Sequence, residues 1–430
     1  MFQYKLKQNP IVLGSDSYMR DYLERLGVRK YTSFLESPQP EDELSPFLLT
    51  DMEKAVALLH KHITRDSDIF LVVDSDVDGY TSAAIIYSYI KDINPDANIE
   101  YYVHAEKEHG VVVSQVPFGT ALVIIPDAGS NQYDEIEELV GRNVDVLVID
   151  HHLVDQGSIF YHNNVAIVNN QISDKFANKS LSGAGMTYKF IQAYHRTHKV
   201  GNPEQYVDLA MLGILSDMML ITELDNNFII KKGLKSIQNK MFKALLAKQS
   251  YSVTSTSAPT IIDIVFYVTP VINGTIRMGS ISEKSQLFEA FINNNSTEIY
   301  SREWRGALIE ENLYDRVARE SYNIKEKQNR ITLKTMERIC DVIDREKLYE
   351  NQVIVYKTDK KDINDVPKSL TGLVAMKILQ KYNRPTLILR PVQQDGVWYY
   401  RGSGRGKKAD GFLSFKEFLN NSGIVDYAQG

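Results

Sequence analysis

Three short apolar runs in the first half of the chain end directly in acids or histidines. The run 69–73 (Ile-Phe-Leu-Val-Val) continues into Asp74-Ser75-Asp76-Val77-Asp78-Gly79. The run 122–125 continues into Pro126-Asp127-Ala128-Gly129, and the run 144–149 into Asp150-His151-His152. Runs 99–103 and 165–168 share the same β-branched character. Short, mostly apolar runs suit strands buried on both faces of a parallel sheet. Helix-like segments 81–90 and 132–140 fall between them, so the spacing predicts βαβ units in a doubly wound α/β domain. All strand ends of a parallel sheet share one edge, where such domains bind ligands. Asp74, Asp76, Asp78, Asp127, His151 and His152 are therefore expected to converge.

Carboxylates at that density repel one another unless cations neutralise them. Oxygen donors with one or two imidazoles suit Mn²⁺ or Mg²⁺ better than a closed zinc site. A single Asp at a strand end is more often a helix N-cap or turn residue, but three such clusters in order are hard to explain that way. Asp-x-Asp-x-Asp-Gly also opens a calcium loop. That loop needs Glu at its twelfth position, where this chain has Ile85, and flanking helices, where a strand precedes. Asp217 joins the candidates. It sits among apolar residues in Leu212-Gly-Ile-Leu-Ser-Asp-Met-Met-Leu220, where an acid needs a partner: a metal, or a buried salt bridge.

The rest of the chain is less regular. Pro38 and Pro40 mark a polar linker, and Ser45-Pro46 reads as the start of a helix carrying Leu48, Leu49, Met52, Val56 and Leu59. Residues 183–249 read as mainly helical, 261–280 as apolar and turn-rich, and 283–349 as helical, ending in a long connecting helix. Its apolar members are Leu313, Val317, Ile324, Ile331, Met336, Ile339 and Ile343. A second α/β unit is predicted from Gln352, with strands at 353–356 and 386–389 and a helix over 370–382. The lysines at 231, 232, 235, 240, 243 and 248 read as a solvated helix face. The run Trp398-Tyr399-Tyr400-Arg401-Gly-Ser403-Gly-Arg405-Gly-Lys407-Lys408 interleaves aromatics and cations. It fits either a core hairpin or a surface for unpaired bases and phosphates. No Gly-x-x-x-x-Gly-Lys-[Ser/Thr] occurs, which disfavours an ATP-driven motor. The single cysteine, Cys340, excludes an internal disulfide and reads as a buried apolar residue. No apolar run near 18 residues and no secretory h-region is evident, so a cytoplasmic protein without a membrane span is expected. A net charge of 49 − 55 = −6 does not advertise a nucleic-acid binder, nor does it exclude a local basic groove.

These residues resemble the DHH phosphoesterases, named for the motif seen here as Asp150-His151-His152, and within them the RecJ-type single-strand-specific exonucleases. Asn169-Asn-Gln171 with Leu181-Ser-Gly-Ala-Gly185, Pro270-Val-Ile-Asn273-Gly-Thr-Ile-Arg277-Met-Gly279, and Leu370-Thr-Gly372 through Gly402-Ser403-Gly404-Arg405 carry the likeness onward. The resemblance implies an N-terminal helical segment (1–65), a DHH catalytic domain (66–250), a connecting region with the long helix (251–349) and a smaller α/β DHH-associated domain (350–430). It implies two divalent cations, Mn²⁺ before Mg²⁺, bridged by Asp127 and held by Asp74, Asp76, Asp78, His151 and Asp217. His152 would contact the scissile phosphate, and Asp150 would orient a neighbouring imidazole. Asn273, Arg277, Ser403 and Arg405 are the implied substrate contacts. The implied activity is 5′→3′ hydrolysis of single-stranded DNA, with single-strand-binding, replication or recombination proteins as partners. The alternatives are an oligoribonuclease or cyclic-dinucleotide phosphodiesterase, and a non-catalytic replication scaffold; the complete ligand set argues against the last. RecJ relatives continue with a Gly-Gly-His segment and carry an OB-fold. This chain reaches Gly430 without either, which implies a minimal member or a fragment.

Overall fold

The computed structural model describes residues 18–28, 34–35, 39–155, 157, 159–360, 365–394, 396–407 and 414–428. Lys408 of the aromatic and basic run lies outside them, as does part of the N-terminal segment. The chain divides into two compact units, residues 1–322 and 323–430. The division falls within the helix Leu313–Arg345, so that helix contributes to both.

The first unit is built on five parallel strands: β1 (Ile69–Val73), β2 (Ile99–Val103), β3 (Leu122–Pro126), β4 (Asp145–Asp150) and β5 (Val165–Asn169). Their order is β2-β1-β3-β4-β5. The direction of strand succession reverses between β1 and β3, the position at whose carboxyl ends such sheets bind ligands. Side chains alternate between two cores. Ile69, Leu71 and Val73 pack with the helices Val77–Ile93, Gly183–His198 and Val207–Ser216. Phe70 and Val72 pack on the opposite face with Val123, Val146, Ile136 and Leu139. That double burial is why the strands read as continuous apolar runs.

The segment before the sheet departs from the reading made from Ser45-Pro46. Pro46–Leu48 is a single 3₁₀ turn. The helix is Met52–Thr64, and Asp51 before it takes the left-handed conformation (φ 60°), which breaks any continuous helix from residue 46. This arm is fastened to the Gly183–His198 helix by a buried lysine. Lys189 Nζ donates to Asp225 Oδ1 (2.7 Å) and to the Leu44 carbonyl (2.9 Å), and lies 3.4 Å from Glu43 Oε1.

Residues 261–278 are also helical rather than turn-rich. Ile261–Asp263, a π-helical turn Ile264–Val268 and Thr269–Met278 follow one another directly. Pro270 falls near the start of its segment, where it interrupts little. Joined, they make one helix long and apolar enough to cross a membrane by length and composition, where the sequence reading found no such stretch; half of it is buried in the protein.

The helical reading of 283–349 fails in its middle. After the helix Ile281–Ile292, an antiparallel hairpin pairs β6 (Ile299–Trp304) with β7 (Ala307–Asn312). Arg305 (φ 52°) and Gly306 (φ 79°) form its two-residue turn, the geometry that matches strand twist. The helix Leu313–Arg345 follows, with Leu313, Val317, Ile324, Ile339 and Ile343 buried, and Cys340 beside them. Lys231 donates to the Phe34 carbonyl and Lys232 pairs with Glu204 (2.5 Å), so part of the lysine run makes contacts with distant segments of the chain.

The second unit carries β8 (Ile354–Lys357), β9 (Thr386–Gln394) and β10 (Val397–Arg405), in the order β10-β9-β8. β8 runs parallel to β9, and β10 antiparallel to it. The helix Thr371–Tyr382 buries Val374 and Ile378 in this unit.

Removing one member of a buried ion pair strands the other in a dry environment. Lys189→Met is therefore expected to lower the stability of the protein by about 3 kcal/mol in urea unfolding. A loss below about 0.5 kcal/mol would show that the pair contributes no more than a surface pair does.

Candidate metal centre

The carboxyl ends of β1, β3 and β4 bring the acids together. Asp74 follows β1 and is buried; its Oδ2 lies 2.7 Å from His109 Nδ1, and its Oδ1 accepts from the Gly110 amide at 2.9 Å. Asp76 caps the helix Val77–Ile93, accepting from the Gly79 amide at 2.9 Å. A side chain at Gly79 would strike Asp74, whose Cβ and backbone carbon lie 2.6 and 2.8 Å from the position a Cβ would take. Asp78, in the first turn of the same helix, crosses to the N-terminus of the helix Gly183–His198. It accepts from the amides of Gly183 (2.6 Å) and Ala184 (3.0 Å). Gly183 must lack a Cβ because Asp127 packs directly on it, with its own Cβ 2.6 Å from that position.

Asp127 stands at the end of β3 in the left-handed conformation (φ 65°). Its Oδ1 is 3.2 Å from His151 Nε2, yet it is buried without a hydrogen bond. His151 Nε2 also lies 3.8 Å from Asp78 Oδ2 and 3.7 Å from Asp217 Oδ2. Asp217 arrives from the C-terminal cap of the helix Val207–Ser216. Three groups have donor atoms within 4.8 Å of one another: Asp74, Asp76 and Asp127; Asp78, His151 and Asp217; and Asp127, His151 and His152.

Asp150 has a different role in the geometry. Its Oδ1 accepts from the His151 amide (2.7 Å) and the His152 amide (3.1 Å), and lies 2.8 Å from His152 Nδ1. Its Oδ2 accepts from the Ser130 amide at 3.0 Å. Both carboxylate oxygens are thus occupied by neighbours that fix the His152 ring. Asn169 at the end of β5 donates to Ser130 Oγ (2.9 Å) and to the His152 carbonyl (3.0 Å), while Gln171 donates to the His151 carbonyl (3.0 Å).

The electrostatics follow from this crowding. Burial, then the charges of Asp78, Asp76, Asp74 and Asp150, push the Asp127 carboxyl well above its ordinary range. Burial, Asp78 and Asp76 push Asp217 up to about 7. Burial alone would raise Asp150 too, but the hydrogen bond and charge of His152 hold it below the usual carboxylate range. Asp150 in turn raises His152 to about 9, while burial lowers His151. The orphaned Asp127 Oδ1 and the shared repulsion fit divalent cations among these oxygens and the His151 imidazole.

The cluster opens to solvent on one side. Asp74, Asp78, Asp127 and Asp150 form a buried floor, while the side chains of Asp217 and His152 are 38% and 53% exposed. His109 was not singled out in the sequence. The available signal was the strand Ile99–Val103, whose carboxyl end must share the edge of β1 and whose following loop carries this histidine. Asn273 and Arg277 lie one helical turn apart on the helix Thr269–Met278, Arg277 exposed and Asn273 Oδ1 buried without a partner. Ser403 and Arg405 lie in the second unit on β10. Ser403 Oγ is 2.8 Å from Thr371 Oγ1, and Arg405 Nη2 is 2.8 Å from where a Cβ on Gly372 would stand. Both therefore approach the N-terminus of the helix Thr371–Tyr382. Trp398, Tyr399 and Tyr400 are exposed on the same strand rather than packed in a core.

An acid whose pKa is raised by folding binds its proton more tightly in the native state, so stability falls as pH rises through the window between the two values. Metal-free protein is expected to lose stability from the ordinary 3.8 up to about 7 through Asp217, with Asp127 acting in the same direction. His152, raised from 6.5 to about 9, adds a loss across that higher window. Thermal unfolding in EDTA at about pH 5 and about pH 7.5 measures this, with the lower midpoint expected at the higher pH. Saturating Mn²⁺ is expected to reverse the order. A metal-free protein more stable at the higher pH would show that the acids do not repel as the geometry requires.

Residues 68–214 match the DHH family, N-terminal domain. YorK of Bacillus subtilis (strain 168), named as an SPbeta prophage-derived single-strand DNA-specific exonuclease, is 35% identical over 382 residues, covering 89% of this chain and 65% of that protein. RecJ of Thermus thermophilus, named as a single-stranded-DNA-specific exonuclease, is 25% identical over 255 residues, covering 57% of this chain and 37% of that protein. The chain thus spans under two thirds of the length of these relatives. A crystal structure of exonuclease RecJ bound to manganese shares the fold with a TM-score of 0.64 at 20% identity, over 79% of this chain and 80% of that one. With the acids and the Asp150-His151-His152 motif at the carboxyl edge of its sheet, the part of the chain over residues 68–214 is similar to the N-terminal domain of the DHH family.

Proposed function

We propose that the protein is a metal-dependent phosphodiesterase that removes nucleotides from the 5′ end of single-stranded DNA. The observation that carries this reading is the buried Asp127 oxygen without a hydrogen bond, set among four further carboxylates and His151 at the carboxyl edge of the sheet. The names of YorK and RecJ support the substrate, and the direction follows the RecJ-type resemblance of the sequence. A location in the cytoplasm, among replication and recombination proteins, fits that substrate.

Asp74, Asp76 and Asp127 would hold one divalent cation, and Asp78, His151 and Asp217 a second, with Asp127 close enough to His151 to be shared. Such a pair, when bound, supplies Lewis acidity and charge neutralisation for in-line attack of water at phosphorus. Mn²⁺ is the favoured ion and Mg²⁺ the second. The chain's own residues do the remainder. Asp150 orients the His152 ring and favours its charged form, so that His152 can offer a proton to the non-bridging phosphate oxygens. Asp78 is held in place by two backbone amides, and Asp74 by His109 and Gly110. Ser403, Arg405 and the N-terminus of the helix Thr371–Tyr382 offer donors to a backbone phosphate. Asn273 and Arg277, in the first unit, are assigned to the substrate on the resemblance alone. Trp398, Tyr399 and Tyr400 offer rings for unpaired bases.

Two labelled oligonucleotides test the reading with Mn²⁺ present. The 5′ label is expected to leave at once as mononucleotide, while the 3′ label gives a descending ladder, and Asp127→Ala abolishes both. Wild-type activity in Asp127→Ala would remove the shared-acid assignment. Hydrolysis of dinucleotides alone would move the substrate to short oligoribonucleotides or cyclic dinucleotides, and metal binding without hydrolysis would favour a scaffold. Arg405→Ala is expected to raise KM with kcat little changed, and to lower the slope of log affinity against log salt by about 1. An unchanged slope would mean that Arg405 meets no phosphate.

A further inference from the structure

The helix Val207–Ser216 ends in a way its sequence does not favour. Asp217 caps it, the Met218 amide bonds to the Leu215 carbonyl (3.3 Å), and the Met219 amide to the Ile214 carbonyl (3.1 Å). This pair of bonds is the Schellman ending, whose residue after the cap takes the left-handed conformation and is usually glycine. Here that residue is Met218, at φ 56°. A long side chain in that conformation is strained. It recovers nothing by packing, because Met218 is 71% exposed. Strain of this kind persists where the surrounding structure over-determines it, and it gathers at functional sites.

The loop that follows is held firmly. The Leu220 amide donates to Ser180 Oγ (2.9 Å), Asn226 Nδ2 donates to the Leu220 carbonyl (3.0 Å) and to the Ser180 carbonyl (2.6 Å), and Met219 lies against the core. On this fixed loop Met218, Leu220 and Ile221 all remain exposed. Leu153, which follows His152, is 78% exposed. Asp217 and His152 are the most exposed members of the cluster, with Asp76 partly exposed beside the buried floor. Asp217 and His152 are each followed in the chain by an exposed apolar residue, Met218 and Leu153.

We propose that Met218 is a substrate-specificity residue, its thioether chain packing against the base of the nucleotide whose phosphate enters the acid cluster. Leu220 and Ile221 extend the same apolar rim. The inference rests on the phosphodiesterase reading above and names what that site selects: a nucleotide with its base, rather than a bare sugar-phosphate. A methionine suits the task because it is unbranched and adapts to any base face. The rim is thereby sequence-tolerant, while the phosphate is met by charge.

Kinetics with Mn²⁺ on two single strands test this, one intact and one abasic at its two 5′-terminal nucleotides. Wild type is expected to show a higher KM on the abasic strand. Met218→Gly and Met218→Asn both tolerate the left-handed backbone. Each is expected to raise KM on the intact strand about tenfold with kcat held, the loss of one apolar contact. Each is also expected to abolish the difference between the strands. Mn²⁺ affinity should stay at the wild-type value, and Met218→Gly should unfold at a higher temperature. A wild-type KM in the variants, or an abasic penalty that survives in them, would overturn the proposal. So would a loss of Mn²⁺ affinity that accounts for the change, since Met218 would then act only by holding Asp217. If wild type releases nucleotides from neither strand, the phosphodiesterase reading fails first and this inference with it.

Discussion

Carboxylates gathered at one edge of a parallel sheet repel one another, and the first unit is arranged around holding them there. Three means are visible. Asp78 faces the amides that open a helix, where the backbone dipole favours negative charge. Asp150 is surrounded by three amides and an imidazole. Asp74 has an imidazole and an amide. Asp127 has none of these on its inner oxygen, and its burial among the others drives its carboxyl toward the protonated form. The acids with partners define the cradle. The acid without one is where the proposed cation is assigned.

The helix Gly183–His198 links this centre to the rest of the unit. Its first amides hold Asp78, and Asp127 packs on Gly183. Two turns on, Lys189 is pinned between Asp225 and the arm at Glu43 and Leu44. A shift of this helix would disturb the Asp78 carboxylate and the buried ion pair together. Burying an ion pair is rarely the cheapest route to stability. Here it fixes the position of an element whose N-terminus must sit within hydrogen-bonding distance of an acid.

The second unit divides its tasks differently. Its sheet places Ser403 and Arg405 near the start of one helix and leaves a row of aromatic rings exposed on the same strand. Alternation along β10 separates Trp398 and Tyr400 from Tyr399, Ser403 and Arg405. Lys357 and Lys360 lie over the rings of Tyr400 and Trp398, at 5.5 and 4.7 Å. The strand therefore offers stacking surface and charge side by side.

The sequence alone determined that Asp74, Asp127 and Asp150 share an edge, because parallel strands place all their carboxyl ends together and each acid follows its apolar run directly or, for Asp127, after one proline. Periodicity could not resolve the hairpin at Ile299–Asn312, since its strands are short and half polar and its Arg-Gly turn carries a weak signal. Nor could it separate a turn-rich segment from the helix around the π turn at Ile264–Val268. The distinction between Asp150 as an orienting group and Asp127 as an orphaned one required coordinates, as did His109 beside Asp74 and the left-handed Met218 beside Asp217. Backbone amides carry no residue signature, and a loop's path decides which distant side chain meets an acid. Those contacts belong to the tertiary structure, because they form between residues that no local pattern connects.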